Sequence, residues 1–205
     1  MTNIHNINII NVKQGKKYKI TEDYKMVKTY SDCVKEYGNQ YQLEKAVASG
    51  KLYKLEEGIY SDEQNVPEIA MIATKYPKAI LSGEYAFFYY GFTDVIPEKY
   101  SMATKSKAAK ISDDRVFQIY VRDDLFDLGV QKQDVDGYEI KIYDKERMLI
   151  ELLRNKNTMP YDLYKEILLK YRMIINTLQI WRIQEYAEKF PKSKMIKKAL
   201  DEEVM

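Results

Sequence analysis

The stretch YSDCVKEYGNQYQLEKAVASGKLYKLEEGIYS, Tyr30 to Ser61, holds the densest local signals in the chain. Ser31 and Asp32 can cap a helix in which Cys33, Val34 and Tyr37 share one face. Gly38 suits the left-handed conformation that closes such a helix. Asn39 offers a side-chain oxygen to the free amides of a second helix, expected over Gln40 to Ser49. On that helix Leu43, Ala46 and Val47 recur at helical spacing, opposite Gln40, Gln42, Glu44 and Lys45. Gly50 ends it. Lys51 to Leu55 alternates polar and apolar residues as a half-buried strand does. Glu56-Glu57-Gly58 reads as a tight turn, and Ile59-Tyr60-Ser61 as the returning strand.

Helix, turn, helix and hairpin in that order outline a winged helix-turn-helix, a unit that usually lays one helix in a DNA groove. Residues near the start of the second helix would then face base edges. Asn39, Gln40, Tyr41, Gln42 and Lys45 are the candidates, because Asn and Gln pair bidentately with adenine and Lys donates to guanine or phosphate. Lys51 and Lys54 on the hairpin are expected to touch phosphates, contacts that position a protein without reading sequence. Winged helices also serve as plain protein-protein modules, so docking onto a protein is the competing reading. Lys16 to Lys28 is predicted as the first helix of the unit, with Thr21 as N-cap and Tyr24 and Val27 facing inward. The unit is expected over residues 16–65, and Asp62 to Val66 reads as a polar linker before Pro67.

A chain of 205 residues can form one large or two small domains. Its 45% hydrophobic and 31% charged residues are ordinary for a globular protein. No run of about eighteen apolar residues occurs, so no transmembrane helix and no membrane partner are expected. Met1 to Gly15 lacks the layout of a secretory signal, which makes a cytoplasmic address the expectation. Cys33 is the only cysteine, which excludes an internal disulfide and a thiolate-rich zinc site. A net charge of +2 argues against non-specific coating of nucleic acid, which depends on many phosphate contacts. It leaves room for a sequence-reading protein with a local basic face. Met1 to Asn65 carries ten Lys against nine Asp or Glu, so such a face requires the charges to be segregated. The 19 tyrosines would suit an interface, although the codon bias of an AT-rich genome explains them more simply.

Residues 66–205 read as a second, mixed α+β domain with a helical C-terminal part. Pro67 opens a helix through Lys75, with Ile69, Ile72 and Ala73 inward, and Pro77 breaks it. Ala79-Ile80-Leu81 is short and apolar. Ser82 then caps an aromatic helix, Glu84 to Tyr90. Strands are predicted at Tyr100 to Thr104, Val116 to Val121, Phe126 to Val130 and Tyr138 to Tyr143. Asp144 caps the first of the closing helices, whose stripe runs through Met148, Leu149, Leu152 and Leu153.

Catalytic signals are sparse. His5 is the only histidine, which excludes Ser-His-Asp and Cys-His catalysis and histidine-rich metal sites. Neither a GxxxxGK nor a GxGxxG loop occurs. Asp113-Asp114 and Asp123-Asp124 could hold magnesium but read better as solvated turns at strand edges. No enzyme activity, metal or cofactor is expected.

Several stretches occur in an order that points to a family: Val66-Pro67-Glu68-Ile69-Ala70, then Lys75 to Ala86 (KYPKAILSGEYA), then Tyr90-Gly91-Phe92-Thr93-Asp94, then Ile142 to Arg154 (IYDKERMLIELLR). With Gly58 and Tyr60 ahead of them, this set resembles the AbiEi antitoxins of abortive-infection toxin-antitoxin pairs. The resemblance spans roughly Tyr30 to Phe190. The Glu146-Arg147 pair of the family is kept, while Met148 and Glu151 stand where the family usually has Thr and Asp. The resemblance implies a winged helix that binds inverted repeats of operator DNA and represses its own operon. It also implies a C-terminal domain that counters a nucleotidyltransferase-like toxin, as type IV antitoxins do, without a stable complex. An antitoxin that binds its toxin directly, with the winged helix as docking module, is the alternative. A monomer or weak dimer is expected. Ser82, Glu84, Glu146 and Arg147 are candidates for a polar site in the second domain, with Arg147 expected to bond a loop through Glu84.

Overall fold

The computed structural model describes residues 26–204. The chain is of mixed α+β class, with eight strands and nine α-helices among the described residues. The described part opens with β1 (Val27–Thr29), α1 (Tyr30–Tyr37), α2 (Gln40–Ala48), β2 (Tyr53–Glu56) and β3 (Ile59–Ser61). The helix expected over Lys16 to Lys28 is not what forms at its end. Val27 and Lys28 belong to β1, which pairs antiparallel with β3 in the order β1-β3-β2. The remainder of that expectation, with Thr21 and Tyr24, lies outside the described residues, as does His5.

Thr29 caps α1, rather than Ser31 or Asp32. Its hydroxyl accepts the Asp32 amide at 3.3 Å, and the Asp32 carboxylate accepts the Thr29 amide at 3.4 Å. Asp32 is therefore the third helical residue of a capping box. Gly38, at φ +89°, ends α1 in a conformation that side chains disfavour. Asn39 caps α2 by accepting the Gln42 amide at 3.0 Å. Cys33, Leu43, Ala46, Leu52 and Tyr60 close a small hydrophobic cluster from both helices and the hairpin.

The larger part contains α3 (Glu68–Lys75), β4 (Ile80–Leu81), α4 (Gly83–Tyr89), β5 (Tyr100–Lys105), β6 (Val116–Val121), α5 (Asp123–Phe126), β7 (Val130–Val135) and β8 (Tyr138–Tyr143). Five strands form one sheet in the order β6-β5-β4-β8-β7. The pairs β5–β6 and β4–β8 are parallel, and β4–β5 and β7–β8 antiparallel. The strand expected at Phe126 to Val130 is displaced. Asp123 and Asp124 sit in the first turn of the short α5, where carboxylates suit the helix dipole, and the strand begins only at Val130.

Closing the chain are α6 (Lys145–Arg154), α7 (Tyr161–Ile174), a 3₁₀ turn at Ile175–Thr177, α8 (Ile180–Lys189), α9 (Ser193–Ala199) and a π-helical turn at Leu200–Val204. Met148, Leu149, Ile150, Leu152 and Leu153 are all buried, which makes α6 the hub around which α4, α7, α8 and α9 pack. Ile69, Leu81, Met102 and Ile140 meet where α3 lies on one face of the sheet. The opposite face carries Ser101 and Ile119, covered in part by α4.

A cluster of ionic side chains ties the hairpin to this larger part. Arg115 donates to Asp113 at 2.9 and 2.8 Å, to Glu56 of β2 at 2.9 Å and to Glu68 of α3 at 3.3 Å. Lys75 stands 3.0 Å from Asp113 and 3.3 Å from Glu56. Asp113 is not the solvated turn residue its sequence context suggests, since its side chain is only 7% exposed. Hydrogen bonds from Arg115, and then from Lys75, hold its carboxyl well below the usual carboxylate range. Asp123 does not lie free either; it accepts the Ser106 amide and hydroxyl at 3.2 and 2.9 Å.

Candidate functional site

The exposed side of α2 is the first candidate. Burial of Leu43 and Ala46 turns Tyr41, Gln42 and Lys45 outward together, and Tyr41 is 70% exposed. None of these three side chains has a hydrogen bond or ion pair among the described residues. The other two expected base readers are bonded within the unit. The Asn39 oxygen accepts the cap bond from the Gln42 amide, which fixes the side chain at the helix start and leaves its Nδ2 without a partner among the described residues. Gln40 donates to Glu44 at 2.8 Å, and its oxygen accepts the Tyr30 hydroxyl at 3.5 Å. Tyr30 is the residue that the sequence reading missed here. Its role depends on where β1 delivers it.

Lys51 and Lys54 are exposed and without an ion-pair partner among the described residues. Lys54 borders a groove between α2 and the hairpin that also contains Tyr30, Gln40, Glu44 and Glu57. Most of the described acids of this unit are engaged elsewhere. Glu36 and Asp62 pair with Lys28, Asp32 with Lys35, and Glu56 with Lys75 and Arg115. The near-neutral count of charges thus conceals a partial segregation. Among the described residues, the lysines of this unit left unpaired are Lys45, Lys51 and Lys54, against Glu44 and Glu57.

The four polar residues expected to meet in the larger part do not form one site. Arg147 is fully buried and donates to the Leu125 carbonyl at 2.8 Å, the Leu128 carbonyl at 3.4 Å and Glu151 at 2.8 Å, and makes no bond to Glu84. Its guanidinium stacks against Tyr143 and Phe190, 4.6 and 4.2 Å from the ring centres. Glu146 is buried too and accepts the Gln179 amide at 2.9 Å, which fastens the start of α8. Asp144 accepts the Arg147 amide at 2.7 Å and the Tyr186 hydroxyl at 3.0 Å, and burial pushes its carboxyl up. These are the bonds of a structural joint among α5, α6 and α8.

Ser82 and Glu84 belong instead to a cleft of about 550 Å³ between α4, the β5–β6 face and the turn after α6. Gly83 stands at φ +54°, and a Cβ there would come within 2.9 Å of both Ser101 and Ile119. That close approach lets α4 lie on the sheet and shapes the cleft. Glu151 also reaches its wall, so the cleft touches the Arg147 joint through one carboxylate. Ser101, Glu98, Phe117 and Ile119 were not singled out by sequence, because the strand pairing that assembles them is long-range. The aromatics of α4 are mostly turned inward. Phe87 is buried, Tyr85 packs on Tyr100 at 4.6 Å, and the Tyr90 hydroxyl donates to the Tyr143 carbonyl at 2.6 Å.

Among the described residues no group of three His, Cys, Asp or Glu could hold a metal ion, and no helix is long and apolar enough to cross a membrane.

No protein-family model matches this chain, and no curated protein matches it either. Among solved structures, the chain is similar to the crystal structure of the RV2827C protein from Mycobacterium tuberculosis, with a TM-score of 0.56 and 13% identity over 87% of this chain and 72% of that one. At that identity the likeness concerns the fold alone.

Proposed function

We propose that the chain is an AbiEi-type antitoxin. In this reading the described segment from β1 to β3 is the DNA-contacting part of a winged helix-turn-helix unit, residues 16–65. It binds inverted repeats upstream of its own operon and represses it. Residues 66–205 form the part that counters a nucleotidyltransferase-like toxin, in the cytoplasm and without metal or cofactor. The observation that carries the reading is the outward stripe of Tyr41, Gln42 and Lys45 on α2, flanked by Lys51 and Lys54. It offers the Gln42 amide to bases and three lysines to phosphates, with Asp32, Glu36 and Glu56 drawn into ion pairs and Glu44 and Glu57 the acids left beside it. Gln42 takes the role of base reader, with Lys45 beside it. Asn39 and Gln40 fix the helix that presents them.

A mobility-shift titration on the region upstream of the gene tests this. A saturable shift at low salt that competitor DNA of unrelated sequence does not abolish is expected. Absence of any shift by the full chain overturns the reading. Co-purification with the neighbouring toxin, in place of a DNA shift, would move the chain to the direct-docking alternative.

A further inference from the structure

The larger sheet ends in two edges of different character. β7, at one end, carries Lys132 and Asp134 inside the strand, charges of the kind that keep an edge from pairing with another chain. β6, at the other end, reads VFQIYV and carries none. The direction of its backbone groups follows from its one partner. The Tyr100 amide donates to the Arg115 carbonyl at 2.8 Å, so in this parallel pair the amides and carbonyls of Phe117, Ile119 and Val121 point toward β5. Those of Gln118 and Tyr120 point the other way, where no strand pairs with β6 among the described residues. The connection from β5, residues 106–115, leaves that edge open. Gln118 holds it over one face of the sheet, donating to the Ala109 carbonyl at 3.0 Å and accepting the Ile111 amide at 2.8 Å. Phe117 and Tyr120, on opposite faces of the strand, are 58% and 52% exposed. An open, uncharged edge with exposed aromatics is a template for one more strand.

The strand meets the requirements of its own partner. In an antiparallel pair of two copies centred on Gln118, Phe117 of each lies opposite Ile119 of the other, and Tyr120 opposite Val116. Aromatic and β-branched side chains in that arrangement stabilise neighbouring strands. The two Gln118 residues exchange amide-to-carbonyl bonds, and each Tyr120 amide meets the Val116 carbonyl of the other copy. The Val116 amide, left out by this register, already donates to the Asp113 carbonyl at 2.9 Å. Charge at the two ends is complementary as well. Asp114 is exposed and has no ion-pair partner among the described residues. Arg122 gives Nε and Nη2 to Asp124 at 3.1 and 2.7 Å, while its Nη1 has no hydrogen bond among the described residues. The same register brings Arg122 of one copy toward Asp114 of the other, twice by symmetry.

We propose that β6 pairs edge to edge with β6 of a second copy of this chain, joining two five-stranded sheets across a two-fold axis. The proposal does not depend on DNA binding by α2. Sedimentation velocity of the full chain over a concentration series tests it, with amide hydrogen exchange followed at the same concentrations. A monomer–dimer equilibrium is expected, and the Gln118 and Tyr120 amides should gain protection as the dimer forms. Phe117→Lys/Tyr120→Lys puts a charge into each cross-strand pair and should raise the dissociation constant roughly tenfold or more. Both side chains are exposed, and an unchanged thermal midpoint of the dilute protein checks that the fold is intact. The exchange measurement on the unmodified chain stands whatever the variant does. Arg122→Asp should weaken association too, and Asp114→Arg/Arg122→Asp should restore it. A chain that stays monomeric at every concentration overturns the proposal. So does a dimer that forms without protecting Gln118 and Tyr120, one that the lysine variant leaves intact, or a charge reversal that fails to restore association.

Discussion

Arg147 carries its charge where no water reaches it. Two backbone carbonyls, Glu151 and two aromatic faces take the place of solvent, while its Nε has no hydrogen-bond partner. Removing one member of such a buried set leaves the others uncompensated. Arg147→Ala should therefore lower unfolding free energy by about 3–5 kcal/mol, as urea denaturation would measure. A loss under 1 kcal/mol would mean that the joint is not structural. The sequence supported a structural Arg147 bonding a loop, but named Glu84 as the partner. The backbone acceptors it meets, the carbonyls of Leu125 in α5 and of Leu128 just beyond it, are brought near only by the folded sheet. Single side chains on α2 have separate expected signatures. Gln42→Ala should alter base preference in a binding-site selection, whereas Lys54→Ala should weaken binding evenly across sequences. An unchanged selected sequence for Gln42→Ala would remove Gln42 from the readers.

Elements were legible where their determinants are local. Gly38, Asn39, Gly50 and Gly58 punctuate α1, α2 and the hairpin within a few residues of the groups they serve, and those boundaries formed close to where the spacing put them. Asp144 capped α6 for the same reason. Asn39→Ala should thus cost about 1 kcal/mol of stability, with Asn39→Ser close to neutral, both read from denaturant midpoints. Elements created by distant pairing were not legible. Val27 to Thr29 is a strand because Ile59 to Ser61 offers it an edge, and a run so short has no periodicity of its own. The apolar run through Phe126 to Val130 reads as a strand by composition. In the fold, Leu125 and Phe126 instead fill the core from α5, ahead of Gly129. The cleft was legible only as the fragment Ser82-Gly83-Glu84, since its far wall comes from β6.

Across the whole molecule, the cluster of Glu56, Glu68, Lys75, Asp113 and Arg115 links the hairpin to the larger sheet. The folded state holds the Asp113 carboxyl below its unfolded value of about 4. Its contribution is therefore complete above that pH and is lost as pH falls through the folded value. Urea midpoints should decline from about pH 4 downward, and Asp113→Asn, less stable at neutral pH, should show a shallower decline. Equal slopes would place the acid sensitivity elsewhere. The same linkage sets how α2 and the hairpin sit above the rest of the chain, which matters if they face a duplex as one surface. Salt tests that surface directly, because each phosphate contact releases counterions. Binding of the full chain to its upstream inverted repeat, followed by fluorescence anisotropy over a series of salt concentrations, should weaken steeply. The Lys45→Ala/Lys51→Ala/Lys54→Ala variant should bind less tightly, with a salt slope shallower by about one for each lysine that meets a phosphate. Wild-type and variant curves that coincide would show that α2 and its hairpin do not face DNA.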